Sequence, residues 1–375
     1  MITNLTVSNY RSLGEDVRIR LGKFTVLVGP NGSGKSNVMD ALRFIADAMH
    51  MGLSGAITMR NGIAAVRRWS GGHPFSTAIR IDLSLPEGLA YYAFELTGSS
   101  AEEYEVKLEE AEVIQGTERV RFRIERAQWK EGPEGLRPPV DKQSLALQLV
   151  GGDARFQELV RALQNIAVYA IFPDTLRVPQ KYSPGKPMSR HGDNWVSILK
   201  DQPKETWKPD LIAALHKLTG DMEDIHVAPV ASYLAVQFRH TSPNKKPKWF
   251  DAAQESDGTL RVAGIISALL QAPPVPVIGI EEPELTVHPG AIPLLYDHLM
   301  QASRQSQIIV TTHSPELLDR VQPEDVRVVM RKDGETIVAL MATGQREVVK
   351  KGLMSLGEVM RTEGLQQELP LPPEA

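Results

Sequence analysis

Apolar positions along this chain follow two different periods. Ile2, Leu5 and Val7 predict an opening strand, residues 17–21 a second, and the unbroken apolar run 24–28 a short buried one. Val38, Ala41, Leu42 and Ile45 then recur at helical spacing, and the pattern loosens at Gly52, Gly55 and Gly62. Period-2 alternation returns at Ile79, Ile81, Leu83 and Leu85, and again at 92–96, 104–108 and 120–124. That is the mark of antiparallel, half-exposed strands.

The middle of the chain is less regular. Residues 128–150 read as a polar loop, 153–166 as a helix and 167–172 as a strand. Helices are expected at 194–199 and 209–218, and a strand at 227–238. From Glu255 the pattern sharpens. Ser256 caps a helix with Leu260, Ala263, Ile266, Leu269 and Leu270 on its apolar face, and Pro273-Pro274 stops it. Residues 275–280 form an apolar strand, a helix runs from Pro289 to about 303, and 307–312 is another buried strand. Asp333-Gly334 joins 326–330 to 336–340 as a hairpin. The expected domains are an N-terminal lobe at 1–95, an inserted region at 96–248, a C-terminal lobe at 249–345 and an extension at 346–375.

Composition narrows the class. The 375 residues carry a formal net charge of −4, so the protein is no polycation and any nucleic-acid contact must come from local patches. Three patches stand out: residues 67–74, then Arg177, Lys181, Lys186 and Arg190, then Arg239, Lys245, Lys246 and Lys248. Without cysteine there are no disulfides, thiolate nucleophiles or cysteine zinc sites. No apolar run is long enough to span a bilayer, which predicts no membrane partner. The first residues lead straight into a strand pattern without signal-peptide features, so the expected compartment is the cytoplasm. The tail from Glu368 is expected to fray.

Gly29-Pro30-Asn31-Gly32-Ser33-Gly34-Lys35-Ser36 fits G-x-x-x-x-G-K-[ST] between a strand and a helix. Glycines let successive backbone N–H groups face one anion, and the helix N-terminus adds partial positive charge. Lys35 is placed for the β- and γ-phosphates and Ser36 for Mg²⁺. The 275–280 strand delivers Glu281 and Glu282 to its C-terminal end, where open α/β sheets bind ligands. Glu281 is the candidate Mg²⁺ ligand through water, and Glu282 the candidate base for an attacking water. His313 ends the next strand in a similar position and is the candidate to contact the γ-phosphate or the attacking water.

The order of these motifs resembles ABC-type ATPase heads. It is similar to the soluble branch holding RecF, the structural-maintenance-of-chromosomes heads and the OLD-family ATPases. Asn9-Tyr10-Arg11-Ser12-Leu13 resembles that branch's "N-F-R-S-L" stretch, and Glu282-Pro283-Glu284-Leu285 with Thr312-His313-Ser314-Pro315 resembles its standalone, OLD-like AAA members. The resemblance covers residues 1–75 and 249–320. It implies an α/β P-loop NTPase with a mixed central sheet, an antiparallel β subdomain and a mixed helical insertion. It also implies ATP and Mg²⁺ as cofactors, with Arg11, Asn31, Gly32, Ser33, Gly34, Lys35, Ser36 and Asn37 around the nucleotide. Ser256 and Gly258 then contact the γ-phosphate of a partner head in a homodimer. Three features depart from the pattern. Glu255-Ser256-Asp257-Gly258-Thr259 replaces the transporter "L-S-G-G-Q", Glu281 stands where many relatives have aspartate, and no coiled-coil heptads are present. No D-x-D of a Toprim nuclease follows His313. The expected function is therefore a nucleotide-gated ATPase dimer acting on DNA, with a separate effector such as a nuclease, in prokaryotic genome defence or DNA repair. The alternative is an ATP-gated switch that holds or releases a protein partner without DNA.

Overall fold

The computed structural model describes residues 1–68, 76–242 and 245–368. Its chain forms two compact units. The first comprises Met1–Ile166, Pro323–Leu353 and the described residues from Leu365 on. The second comprises 167–322 and 354–364.

In the first unit, a seven-stranded sheet follows from the period-2 pattern. Its order is Val17–Arg20, Ile2–Ser8, Thr77–Leu85, Gly88–Thr97, Glu105–Gln115, Glu118–Glu125 and Gln128–Glu131, every neighbour antiparallel. Ile79, Ile81, Leu83 and Leu85 are all buried while the residues between them are half-exposed, as one covered face requires. The strand Phe24–Val28 is buried at every position and pairs in parallel with Val326–Lys332. Asp333 and Gly334, both at positive φ, turn that strand back into Glu335–Leu340. The helix Lys35–Thr58 runs on past the expected loosening. Gly52, at φ 84°, kinks it without ending it, because Leu53, Ala56 and Ile57 stay buried on the far side. The stretch expected as a polar loop from 128 to 150 contains the edge strand Gln128–Glu131 and the short helix Ala146–Val150. That helix is held by buried Glu109, whose carboxylate accepts from the amides of Ala146 (2.6 Å) and Leu147 (2.9 Å) and from the Tyr92 hydroxyl (2.9 Å).

The second unit pairs Val277–Glu281 in parallel with Gln307–Thr312, with Ile166–Tyr169 on the other side of Val277–Glu281. Asp257–Leu269, Ile292–Ala302 and Lys204–Thr219 are its longer helices. The expected strand at 227–238 is instead a hairpin. Met222–Val230 turns at Ala231, which takes φ 52°, into Tyr233–Ser242. The third basic patch, from Arg239 to Lys248, lies on the strands Tyr233–Ser242 and Lys245–Asp251 of the same three-stranded sheet. Ile225, Val236 and Phe238 bury its inner face, and that burial fixes the register that Ala231-Ser232 does not advertise. Among the described residues no helix is long and apolar enough to cross a membrane.

Candidate nucleotide-binding site

The 29–36 loop lies in the first unit, between the buried strand and the helix Lys35–Thr58. Two of its glycines are required by close approach. A Cβ on Gly29 would sit 2.0 Å from the Val329 carbonyl oxygen, and one on Gly34 would sit 2.1 Å from Thr336 Oγ1. Gly34 also takes φ 105°, which disfavours any side chain. Lys35 is nearly buried, and its Nζ donates to the carbonyls of Gly29 (2.8 Å) and Pro30 (3.2 Å). Ser33 Oγ is buried without a hydrogen-bond partner among the described residues. Asn31 and Gly32 are exposed at the loop's apex, as is Ser36 in the first helical turn.

A brace that sequence reasoning did not assign holds this loop from outside. Thr336 Oγ1 donates to the Ser33 carbonyl at 2.7 Å and lies 2.7 Å from Ser12 Oγ, which also accepts from Asn37 Nδ2 at 2.6 Å. Asn37 thus serves as a strut in this arrangement. Thr336 carries no local signal, since its partner lies 303 positions away. Arg11, at φ 51°, directs its Nε to Asp40 at 2.9 Å, one turn after Ser36. Asp40 also accepts from the Tyr10 hydroxyl (2.6 Å) and Arg60 Nε (3.1 Å). Burial alone would raise the Asp40 carboxyl, but Arg60, Tyr10 and Arg11 together hold it below its ordinary value.

The other candidate residues belong to the second unit. Glu281 ends its strand, and its Oε1 accepts from Arg190 Nη2 at 2.7 Å. Glu282 adopts φ 45°, unusual for a residue with a Cβ. Its amide donates to the carbonyl (3.0 Å) and Oγ1 (3.1 Å) of Thr311, while its own carbonyl accepts from Arg261 Nη2 at 2.7 Å. Arg261 also donates to the carbonyls of Ile171 and Glu281. Burial lowers the pKa of this guanidinium, and Glu284 and Glu282 oppose that shift. The sequence did signal Arg261: it is the only charge in the apolar run 259–270. Glu284 accepts from Thr312 Oγ1 (2.6 Å) and the His313 amide (3.1 Å), leaving its Oε2 buried and unpartnered among the described residues. His313 Nδ1 sits 3.4 Å from Glu282 Oε1 and 3.8 Å from Glu284 Oε1.

Ser256 caps the helix Asp257–Leu269 by accepting from the Thr259 amide at 3.1 Å. Gly258 follows in the first turn, where a Cβ would meet the Thr286 carbonyl oxygen at 3.0 Å. Arg177 pairs with Asp257 and donates to the Glu255 carbonyl at 3.2 Å. His240 bridges Asp221 and Glu255 at 2.9 Å each. Burial lowers the His240 pKa, but those two acids raise it above its ordinary value overall. The structure therefore gathers Arg11, Lys35, Ser36, Asn37 and their loop within one unit, and Ser256, Gly258, Glu281, Glu282 and His313 within the other.

The first basic patch at 67–74 falls mostly outside the described residues. Its described members are engaged: Arg67 donates to the Ser100 carbonyl, and Arg68 pairs with Glu335. The other two patches are also engaged. Besides Arg177 and Arg190, Arg239 lies 3.8 Å from Glu223 and 3.9 Å from Asp224, and Lys186 donates to the Ala272 carbonyl. Lys181 lies over Tyr233 and Lys248 over Phe250. The side chains of Lys245 and Lys246 lie outside the described set.

Comparison with known proteins agrees with this geometry. The Chromosome partition protein Smc of Desulfitobacterium hafniense (strain Y51) is 44% identical over 45 residues, which is 12% of this chain and 4% of that protein. Its counterpart from Mycolicibacterium paratuberculosis (strain ATCC BAA-968 / K-10) is 42% identical over 62 residues, 16% of this chain and 5% of that one. The chain thus spans only a small part of the length of these relatives. Among solved structures, an Smc head bound to the C-winged helix domain of ScpA matches with a TM-score of 0.57 at 16% identity, covering 92% of this chain and 99% of that one. An Smc head with an extended coiled coil, bound to the C-terminal domain of ScpA from Pyrococcus furiosus, also matches with a TM-score of 0.57, at 13% identity over 94% and 99%. These likenesses give the fold, a mixed α/β build like that of the Smc heads. The family described as "AAA domain, putative AbiEii toxin, Type IV TA system" matches residues 24–319. With that match over most of the sequence, the chain belongs to this AAA-domain family.

Proposed function

We propose that this protein binds Mg²⁺–ATP at the 29–36 loop and hydrolyses it, as a homodimer whose heads close on nucleotide. The observation that carries this reading is the loop itself. Lys35 lies along two carbonyls, the buried Ser33 hydroxyl lacks a partner, and Gly29 and Gly34 stand where a side chain would collide. That is a cradle fitted to an anion that can take over the lysine. The candidate Mg²⁺ donors, each within its own unit, are the Ser36 hydroxyl and the Glu281 carboxylate. Both are oxygen ligands of the kind Mg²⁺ takes beside phosphate and water. Among the described residues no cluster of three or more acidic or histidine side chains offers an all-protein metal cage, which also fits a cation held largely by phosphate and water.

In this reading Lys35 exchanges its carbonyl partners for the β- and γ-phosphates. Bound Mg²⁺ would neutralise phosphate charge. Glu282 takes the proton from the attacking water, and His313, 3.4 Å away, orients that carboxylate. Arg261 fixes the backbone that aims Glu282. Ser256 and Gly258 of a second copy meet the γ-phosphate at a helix N-terminus. Lys35→Ala should abolish binding of a fluorescent ATP analogue to the full chain. Undiminished binding by that variant would overturn the site.

The setting we propose is an effector-coupled switch on DNA, in genome defence or repair. One observation favours the alternative, a switch on a protein partner. Arg177, Arg190 and Arg239, the arginines of two basic patches, all lie beside acidic groups of their own unit. Two Smc heads of similar fold are also described as bound to ScpA domains. A mobility-shift series over rising salt separates the readings. Phosphate contacts give a steep loss of affinity, about 0.9 logarithmic unit per contact for each tenfold rise in salt. No DNA shift even at low salt would leave the protein-partner reading.

A further inference from the structure

We propose that Arg190 is a built-in counter-ion that competes with the divalent cation for the Glu281 carboxylate and thereby sets the Mg²⁺ concentration at which the site loads. The inference rests on the Mg²⁺–ATP reading above. Its starting point is the 2.7 Å pair between Arg190 Nη2 and Glu281 Oε1. The Glu281 side chain is only 12% exposed, so a cation nearby matters more there than in open water. Arg261 does not supply that charge to the carboxylate, because its bond to Glu281 goes to the backbone carbonyl.

Arg190 is delivered to this position whether or not the pair forms. Its carbonyl accepts from the Ala170 amide at 2.9 Å, and the neighbouring His191 ring contacts the Ala170 carbonyl at 2.7 Å. Upstream, the Ser189 amide donates to Asn194 Oδ1 and the Met188 amide to Gln271 Oε1, each at 2.7 Å. The backbone is therefore anchored, and the side chain alone can switch. The guanidinium is 31% exposed and makes a single contact instead of the two-pronged fork, with Nε buried and unpartnered among the described residues. A one-point pair at the edge of solvent is easier to exchange than a bidentate one. A guanidinium on Glu281 and a hydrated Mg²⁺ on the same carboxylate repel each other. Loading the metal therefore expels Arg190, and the empty site keeps Glu281 neutralised.

The test is a MgCl₂ titration of the full chain with a fixed concentration of a fluorescent, non-hydrolysable ATP analogue, run beside a measurement in EDTA. Arg190→Gln should lower the Mg²⁺ midpoint about tenfold, the scale of one hydrogen bond between charged groups. Affinity in EDTA should not change, because the proposed competition needs the divalent cation. Arg190→Lys, which keeps the charge, should restore a midpoint near that of the wild type. In a Glu281→Gln background, Arg190→Gln should have no further effect. Arg190→Met, which keeps the apolar stem, repeats the test if the glutamine variant does not fold. An unchanged or higher midpoint in the charge-removing variants overturns the inference, as does an equal shift in the Glu281→Gln background. If the wild type itself binds no analogue, with or without Mg²⁺, it is the nucleotide reading that fails.

Discussion

Arg261 is the residue whose removal should most cleanly separate nucleotide binding from nucleotide turnover. It is 2% exposed and donates to the carbonyls of Ile171, Glu281 (3.2 Å) and Glu282 (2.7 Å). Arg261→Met keeps much of the apolar stem and leaves those carbonyls without their donor. Unsatisfied buried acceptors cost about 1–3 kcal/mol each, so a total near 3 kcal/mol is reasonable once water reaches some of them. The functional effect follows from the backbone. Glu282 at φ 45° sits in a region that costs a non-glycine residue roughly 1–2 kcal/mol. The Thr311 contacts hold its amide and Arg261 holds its carbonyl. Without Arg261 the peptide relaxes and the carboxylate swings away from its aim. Turnover should then approach that of Glu282→Gln, a loss of about 10²–10⁴-fold typical of a missing general base. Binding of a fluorescent ATP analogue measured in EDTA should be retained, because Lys35 and its loop keep their own hydrogen bonds. The assay is steady-state phosphate release beside analogue affinity, on variants whose melting curves show folded protein. A folded Arg261→Met that turns over at the wild-type rate would refute the role given to this arginine. Arg261→Lys, which can reach fewer carbonyls, should fall between the two.

Two further outcomes follow. Ser256→Arg places a bulky cation where a partner's phosphate must enter, so it should bind nucleotide yet lose turnover, and mixing it with Lys35→Ala should restore part of the phosphate release; full, concentration-independent turnover by Ser256→Arg alone would make Ser256 an ordinary helix cap. Glu109 is pushed up to about 7 by its complete burial, against the pull of two amides and Tyr92, so the folded chain holds a proton that the unfolded chain sheds near pH 4.5. Its contribution is most favourable below pH 4.5 and weakens by about 3 kcal/mol as pH rises towards 7, so urea unfolding should show a smaller pH-dependent loss in Glu109→Gln, and parallel profiles would contradict this.

What the sequence disclosed was what short-range physics controls. The run 24–28, the glycine loop and the helical spacing after it lie within a few residues of one another, and all appear in the fold. So do the alternating strands from Thr77 to Glu125, because one covered face imposes period 2 regardless of the partner strand. Asp333-Gly334 announced its hairpin through the positive φ that both residues tolerate. Ala231-Ser232 announced nothing, since alanine gains its φ 52° from the pairing of Ile225 with Phe238 and Val227 with Val236. Thr336 bracing Ser33 and Arg190 facing Glu281 are equally silent, because 303 and 91 positions separate the partners.

The basic patches show the same limit from the electrostatic side. A run of Lys and Arg in sequence reports charge but not its direction, and direction decides what the charge can do. Arg177 faces Asp257 at the start of the helix Asp257–Leu269, and Arg190 faces Glu281 at the end of the strand Val277–Glu281. Both ends of the 177–190 segment therefore bear on candidate-site elements of their own unit. For either arginine to reach a DNA phosphate it must first leave a carboxylate, and the phosphate contact then replaces a pair that already exists. The gain is the difference between two ion pairs, which is much smaller than a free cation would supply. On the proposed Mg²⁺–ATP reading, a segment that looks like a surface patch in the sequence is thus better placed to regulate Glu281 than to hold DNA, and Mg²⁺ is the ligand with the charge to displace it.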